Sequence, residues 1–349
     1  MMTATIATSD LEWVVRPSAP PGWPEAIQVC GGGFFHSPLG LLTGAPPGDP
    51  VFVDLWHGNT LSGIAVGVRH GCRLSARRPH AYFPTLPAIR DPHLRERGLV
   101  ALHEAMRDDG VDDIVVDSFD ASWTARSGVA GRETVQRTEY IVPLEGVYRD
   151  ELPSMFSGNH RRHCLKGARR GWTVRALRGA EDVALMAEVQ GAATERAEAR
   201  GDGFEVEPIP ACAFERQSDD NAWGMTAFGA WDDAGALLTA AAIGWANGRT
   251  YYVSGGSTPK GYAQGSAPWL HWQIMKHFAG RGFTTYNLGG TPASAGIEGD
   301  PSFGLQRFKM GFGATALPLR SLKWELETVH VFGHRVKNWA SERYDEWNR

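Results

Sequence analysis

The sequence predicts an α/β (α+β) fold of two domains with similar topology, divided near residue 150. Three observations predict it. Strand-like and helix-like segments alternate through both halves of the chain, in a similar order. The 349 residues are 42% hydrophobic, enough for two cored units with a cleft between them. No long heptad insertion interrupts the alternation, and the composition excludes a disordered or fibrous chain.

A Gly/Pro-rich opening, CGGGFFHSPLGLLTGAPPGDP, lies in the first half, residues 1–150. VFVDLWH and LSGIAVGVR follow as strands, because apolar runs sit between turn-forming residues. From about Pro92 to Asp109, the spacing of Leu94, Leu99, Leu102 and Met106 predicts a helix. DDIVVDSF reads as a buried strand ending near Asp117, and ETVQRTEYIVPL as another strand. The second half, residues 151–349, begins with a helix from about Pro153 to Arg170, stopped by Gly171, then the short strand WTVRAL. A helix at about Glu181 to Arg200 leads to strands near 225–231, 236–245 and 250–254 and to a long helix at about Ala267 to Arg281. TTYNLGG is a strand ending in a glycine pair, and SFGLQRFKMGFG a helix with a glycine-rich exit. LPLRSLKWEL is a last strand before a C-terminal amphipathic helix.

A formal charge of −4, from 35 basic and 39 acidic side chains, argues against a globally basic nucleic-acid binder. One segment departs from that average. Arg161, Arg162, Lys166, Arg169, Arg170, Arg175 and Arg178 fall within 161–178 without one acid. Such a helix repels itself unless an anion compensates it, and the arginine fork suits the phosphate of a nucleotide or an RNA backbone. A solvated face paired with Asp182 or Glu188 explains the segment equally well.

Several classes drop out. No stretch approaches the ~20 apolar residues of a membrane helix, and MMTATIATSDLEWVVRPSAPP lacks the basic and apolar regions of a secretory signal, so the expected location is the cytoplasm. Cys30, Cys72, Cys164 and Cys212 form no CxxC pair, which predicts reduced thiols rather than a zinc ribbon or a disulfide framework. His160 and His163 share a helical face, but Arg161 and Arg162 between them repel a cation, and no metal site is expected. GxSxG, HExxH, GxxxxGK[ST] and a post-strand GxGxxG are missing.

The sharpest local signal is YNLGG at 286–290 followed by SFGLQRFKMGFGA at 302–314. A strand ending in a glycine pair, a variable loop and a GLxRFKxGFG segment resemble the C-terminal signature of the FemABX family. Members of that family are tRNA-dependent aminoacyltransferases with two N-acetyltransferase (GNAT)-like domains. SGNHRRHCLKGARRGWTVR is similar to its S-x(3)-R-x(4)-[KR]-x-A-x(2)-G segment, and SAPWLHWQIMKHFAGRGF to its penultimate long helix. FFHSP resembles its opening motif, AYFPTLPAI its central loop and DDIVVDSF its strand before the domain boundary. The resemblance spans roughly residues 25–325. The coiled-coil arm of larger members is missing, which points to the short branch and to a monomer.

The resemblance implies tandem GNAT-like domains and amide formation between an amino acid carried by aminoacyl-tRNA, the co-substrate, and an amine acceptor, with no cofactor. The acceptor is a peptidoglycan-precursor muropeptide, the family default, or a small amine or peptide natural product such as an antibiotic precursor. Peptidoglycan-building members set a first-domain lysine against a diphosphate, whereas this chain has no lysine before Lys166. Arg69, Arg73 or Arg77 could substitute.

Such a transfer needs little acid–base machinery because the ester is already activated, so positioning and charge stabilisation dominate. By resemblance, Lys309 of the FK motif is the cation near the carbonyl oxygen and the departing ribose oxygen. Phe308 packs on the terminal adenosine of the tRNA, although a core phenylalanine fits the same position. Arg161, Arg162 and Lys166 are the candidates to hold phosphate. Asp117, at the end of its strand, is the candidate to orient the incoming amine, or it caps a turn. Tyr251, Tyr252 and Trp269 are the candidates to line the acceptor pocket, although strand aromatics are commonly core.

A second reading takes the acyl group from acyl-CoA. N-acetyltransferase folds cradle the coenzyme A pyrophosphate with [RQ]xxGx[GA] before a helix, where free NH groups favour an anion. Lys260, Gly261, Gln264, Gly265, Ser266 and Ala267 give a broken version of it, and a plain helix cap also fits. A third reading, binding without chemistry, is opposed by the intact FK motif.

Overall fold

The computed structural model describes residues 10–71, 79–125, 132–145, 147, 152–201 and 223–325. The first half runs β1 (Leu11–Arg16), α1 (Trp23–Cys30), α2 (Pro38–Gly44), β2 (Asp49–His57), β3 (Thr60–His70), β4 (His80–Phe83), β5 (Ala88–Ile89), α3 (Arg95–Asp108), β6 (Asp113–Asp117) and β7 (Arg132–Pro143). The second runs α4 (Gly158–Arg169), β8 (Thr173–Ala176), α5 (Gly179–Ala199), β9 (Trp223–Trp231), β10 (Leu237–Ala246) and β11 (Arg249–Ser257). It ends with α6 (Pro259–Gln264), α7 (Ala267–Ala279), β12 (Thr285–Pro292), α8 (Phe303–Met310) and β13 (Thr315–Glu325).

The alternation expected from periodicity is present, with three differences. The Gly/Pro-rich opening contains two helices, each with proline in its first turn, where the missing N–H costs nothing. In the second of these, Ser37 caps the helix by accepting from the Gly40 amide at 3.0 Å. The basic helix begins at Gly158 rather than near Pro153, because Ser157 accepts from the His160 amide and so sets the start. The short strands β1 and β4 carry too few apolar positions to stand out in the sequence. The expected C-terminal amphipathic helix, Cys72, Cys212, Arg73 and Arg77 lie outside the described residues.

All strands join one mixed sheet, ordered β1-β2-β3-β4-β6-β13-β7-β12-β11-β10-β9-β8, with β5 paired to β3. The halves repeat each other. In the first, an antiparallel run ends on β4, which pairs in parallel with β6 across the α3 crossover. In the second, an antiparallel run ends on β11, which pairs in parallel with β12 across α6 and α7. Each half then borrows its next strand from the other: β13 pairs with β6, β7 pairs with β12, and β13 and β7 pair together at the centre. A division at residue 150 therefore cuts the chain but not the sheet. Tyr140, Val142 and Leu144, from before that position, pack in the core of the second half with Trp272, Phe278 and Phe312.

The first core gathers Leu55, Phe83, Leu99, Leu102, Ile114 and Val116 between α3 and the sheet. A third cluster joins Phe34 and Phe35 of the opening segment to Met186, Val189 and Tyr251, locking the two halves together. Each such fully buried side chain contributes about 1.5–3 kcal/mol relative to exposure. Cys30 and Cys164 are free and buried, and burial pushes their thiols up to about 11 and about 12, which leaves them inert.

Candidate active site

The parallel pair β11 and β12 is joined at only three positions, Arg249–Thr285, Thr250–Tyr286 and Tyr251–Asn287, after which the strands part. YNLGG builds the parting point residue by residue. Tyr286 is fully buried with its hydroxyl 2.7 Å from His271 Nδ1. Asn287 Oδ1 accepts from the Gly289 amide at 2.8 Å, and Gly289 takes a left-handed φ of 71°. The resulting irregularity against β7, between Asn287 and Gly290, turns the Gly290 carbonyl toward two cations. Lys309 Nζ donates to it at 2.9 Å and Arg137 Nη2 at 3.4 Å.

Lys309 projects from α8 and is only 4% exposed. Burial first, then the Arg137 cation, bring its ammonium from 10.5 down to about 7, against the opposing pull of Glu139. Glu139 on β7 is equally buried, and its carboxylate accepts from the Asp120 amide at 3.1 Å. Burial, then the neighbouring Asp120, push Glu139 up to about 8, while hydrogen bonds from Asn287 and Tyr251 oppose the rise. Asp120 holds a left-handed φ of 50° and faces Arg249, whose guanidinium donates to the Asp120 carbonyl at 2.7 Å. These groups stitch the opening segment, β7, β11 and β12 together behind Lys309.

A pocket of about 490 Å³ opens over the central strands, lined by Tyr82, Asp117, Arg132, Thr134, Arg137, Ser321 and Lys323 among others. Asp117 accepts from the Tyr82 hydroxyl at 2.8 Å, and burial raises its carboxyl above the usual range despite hydrogen bonds from Ser321 and Tyr82. Arg137 belongs both to this pocket and to the Lys309 site, and its Nε is buried without a hydrogen-bond partner.

Among the residues singled out in the sequence, Lys309, Tyr251 and Asp117 come together around Arg137 and β7, with Tyr251 reaching Glu139. Phe308 is half-buried, its ring set against His160, His271 and Phe312. The Tyr252 ring packs edge-on to His271 at 4.8 Å. None of Tyr251, Tyr252 and Trp269 lines this pocket: the two tyrosines pack in or against the hydrophobic clusters, and Trp269 lies in the core, where a Cβ at Gly167 would approach its ring to 2.7 Å.

The basic segment divides. Arg161 donates to the Leu152 and Pro153 carbonyls, and Lys166 to the Gln264 carbonyl at 2.7 Å. Arg175 grips Asp182 with both nitrogens and stacks 4.0 Å over Trp231, so its role is structural. Arg162 is exposed and donates to Asn159. Arg69, a possible first-domain substitute for lysine, pairs with Asp109.

Arg137, Glu139, Tyr82 and Asp120 went unmarked in the sequence, where the first three look like ordinary strand alternation and Asp120 like a solvent-facing turn residue after β6. His160 also acquires a role: burial lowers it to about 4, and its neutral Nε2–H donates to the Phe308 carbonyl at 2.9 Å, clamping α4 to α8. Gly311 is required there, because a Cβ would come within 2.5 Å of that imidazole. Among the described residues, no group of three or more His, Cys, Asp or Glu is arranged to hold a metal, and no helix is long and apolar enough to cross a membrane.

Residues 156–310 match the family described as an acetyltransferase (GNAT) domain. Among solved structures, the chain is similar to FemX, with a TM-score of 0.60 and 16% identity over 79% of this chain and 87% of that one. It is also similar to L-PGS from Bacillus licheniformis, with a TM-score of 0.51 and 13% identity over 78% and 83% of the two chains. A comparison with curated protein sequences finds no match. The chain is therefore built on the acyltransferase-type GNAT fold. Its fold is similar to that of FemX over most of both chains.

Proposed function

We propose that the chain is an aminoacyltransferase that moves an amino acid from aminoacyl-tRNA to the amine of an acceptor, forming an amide. The observation that carries this reading is Lys309, a buried lysine at the FK position, brought to about 7 and held where β11 and β12 part. The acceptor nitrogen attacks the ester carbonyl carbon, and the carbonyl oxygen gains negative charge. Protonated Lys309 stabilises that charge and passes a proton to the ribose oxygen as the ester C–O bond breaks. The acceptor nitrogen then gives one proton to the neutral Lys309, which restores its ammonium, so bonds and protons balance.

Glu139 and Arg137 are positioning residues that push the Lys309 charge in opposite directions. Asp117, held by Tyr82, orients the amine from the pocket side. Phe308, on the edge of the aromatic cluster, offers a face to the terminal adenosine, and Arg162 offers charge to its backbone. An aminoacyl-tRNA co-substrate sets the reaction in the cytoplasm, and the protein acts as a monomer. The acceptor is a muropeptide or a small amine or peptide metabolite.

Two observations favour acyl-CoA as the alternative donor. The GNAT match covers 156–310, and Lys166 and Arg170 both reach Gln264, in the loop before α7. Binding separates the two. The pure protein is challenged with bulk aminoacyl-tRNA, uncharged tRNA and acetyl-CoA, with labelled amino acids. Selective retention of one charged tRNA supports the transfer and names its amino acid, while acetyl-CoA retention with indifference to tRNA replaces it with the acyl-CoA reading.

A further inference from the structure

Arg137 belongs to two sites, and its bonding is incomplete in both. It lines the pocket over the central strands, and its Nη2 donates to the Gly290 carbonyl at 3.4 Å, a long contact. Lys309 Nζ takes the same oxygen at 2.9 Å, so two cations converge on one carbonyl. The Nε of Arg137 is buried without a hydrogen-bond partner. A guanidinium carries five N–H donors in a planar fork, and a buried donor left unpaired costs its full desolvation. The Phe119 ring, centred 6.0 Å from the guanidinium carbon, offers the fork an apolar face rather than an oxygen.

The charged and titratable groups around this pair come from several elements. On β7, Glu139 raises the Lys309 ammonium and Arg137 lowers it, with Asp120 behind Glu139. On α7, His271 lies in the field of Lys309 but is neutral, lowered to about 3 by burial. On β11, the Tyr251 hydroxyl hydrogen-bonds to Glu139 and feels Arg137. Asp117 of β6 and Tyr82 of β4 face Arg137 across the pocket, but the Asp117 carboxylate is already engaged by the Tyr82 and Ser321 hydroxyls. Among the described residues, no carboxylate forms an ion pair with Arg137. Its charge therefore acts on Lys309 largely uncompensated.

We propose that Arg137 couples the pocket to Lys309: an acceptor whose carboxylate or phosphate pairs with Arg137 offsets its charge and holds Lys309 as an ammonium. The fork suits the paired oxygens of either anion, and about 490 Å³ lies within the range of small-molecule sites. On the aminoacyl-transfer reading, on which the proposal rests, that ammonium stabilises the carbonyl oxygen and protonates the ribose oxygen. With the pocket empty, Arg137 opposes the ammonium, so the ester is fully activated only when an acceptor is in place. Arg137 is thus a positioning residue that also selects for an anionic acceptor.

Calorimetry on the full chain at pH 8, in two buffers of different ionisation enthalpy, reads affinity and proton uptake together. The probes are N-acetylalanine and dimethyl phosphate, neither of which changes charge near neutral pH, and the neutral N-acetylalanine amide. One or both anions should bind at least about tenfold more tightly than the amide, and the tighter identifies the anion. Anion binding should take up at least about 0.2 proton per ligand, and amide binding none. Lys309→Met should remove most of that uptake while keeping anion affinity within a few-fold. Arg137→Met should abolish both the anion preference and the uptake. Arg137→Lys, which keeps the charge without the fork, should bind the anion more weakly and still take up protons; if the methionine variant fails to fold, this one and Lys309→Met decide. Equal binding of all three probes, binding of none, or uptake unchanged in Lys309→Met overturns the proposal. Transfer from aminoacyl-tRNA is measured separately. Anion-linked uptake without transfer leaves the coupling standing and removes the transferase reading. Transfer without anion preference or uptake removes the coupling alone.

Discussion

Lys309 concentrates the residue-scale argument, because its position has opposite consequences for stability and for chemistry. An ammonium without solvent is costly, and Glu139 compensates it only in part. Its folded value of about 7 lies below the 10.5 of the unfolded chain, so the folded state binds fewer protons between those values and gains stability as pH rises through that window. Lys309→Met should therefore melt at an equal or higher temperature than the wild type at pH 6, with the advantage shrinking toward pH 10. The same variant should lower kcat by about 10²–10³ while leaving the acceptor KM within a few-fold. Melting curves and initial rates on one preparation check both halves, and near-normal turnover removes Lys309 from the mechanism. The lysine was legible as a motif residue. Its depressed value was not, because it arises first from burial and then from Arg137, which stands 172 residues earlier in the chain.

At the scale of the element, the bulge in β12 and the face of α4 make separate demands. Gly289 at φ 71° has no close obstacle to a Cβ, whose nearest neighbours would be the Tyr251 hydroxyl and the Tyr252 carbonyl, both at 3.4 Å, and Lys309 Nζ at 3.7 Å. A Gly289→Ala change thus costs about 1–2 kcal/mol through left-handed strain alone, and it displaces the Gly290 carbonyl that fixes Lys309. Expected are a melting temperature lowered by a few degrees and reduced turnover. Gly304→Ala, in α8 with open space around it, should instead be neutral or slightly stabilising. On α4, Arg161 holds carbonyls whereas Arg162 points outward, so Arg162→Ala is the cleaner probe of tRNA contact. Its loss should reduce the salt slope of tRNA binding by about 0.7–0.9, and an unchanged slope would exclude a phosphate role. The run of seven basic residues suggested one surface, but the fold distributes them among loop-carbonyl contacts, an ion pair and solvent.

For the molecule as a whole, buried histidines set the acid limit. His36 and His271 are lowered to about 3 and His160 to about 4, all chiefly by burial, against 6.5 when unfolded. Below 6.5 the unfolded chain gains protons that the folded chain refuses, so stability falls as pH drops from 6.5 toward 4. Glu139 runs the other way between 4.5 and about 8, as do the raised carboxyls of Asp117 and Asp120, but His103, also lowered to about 4 by burial, adds to the three histidines and the balance is a net loss. Denaturant titrations at pH 7 and pH 5 should show a clearly lower midpoint at the acid value. A higher midpoint at pH 5 would mean that the histidines are not buried neutral.

The sequence by itself determined the alternation of strands and helices, the glycine pair that opens β12 and the lysine of the FK segment, because each depends on neighbours within one or two turns of chain. Periodicity reports which face of a strand is buried but not which strand lies beside it. The exchange of β7 and β13 between the halves, and with it the meeting of Arg137, Glu139, Asp117 and Lys309, is set by pairing between segments more than 140 residues apart. Only packing both cores at once selects that arrangement. The sequence therefore marked the lysine and the kind of chemistry to expect, and the tertiary structure decided the charges that tune the lysine and the neighbouring pocket that shares Arg137 with it.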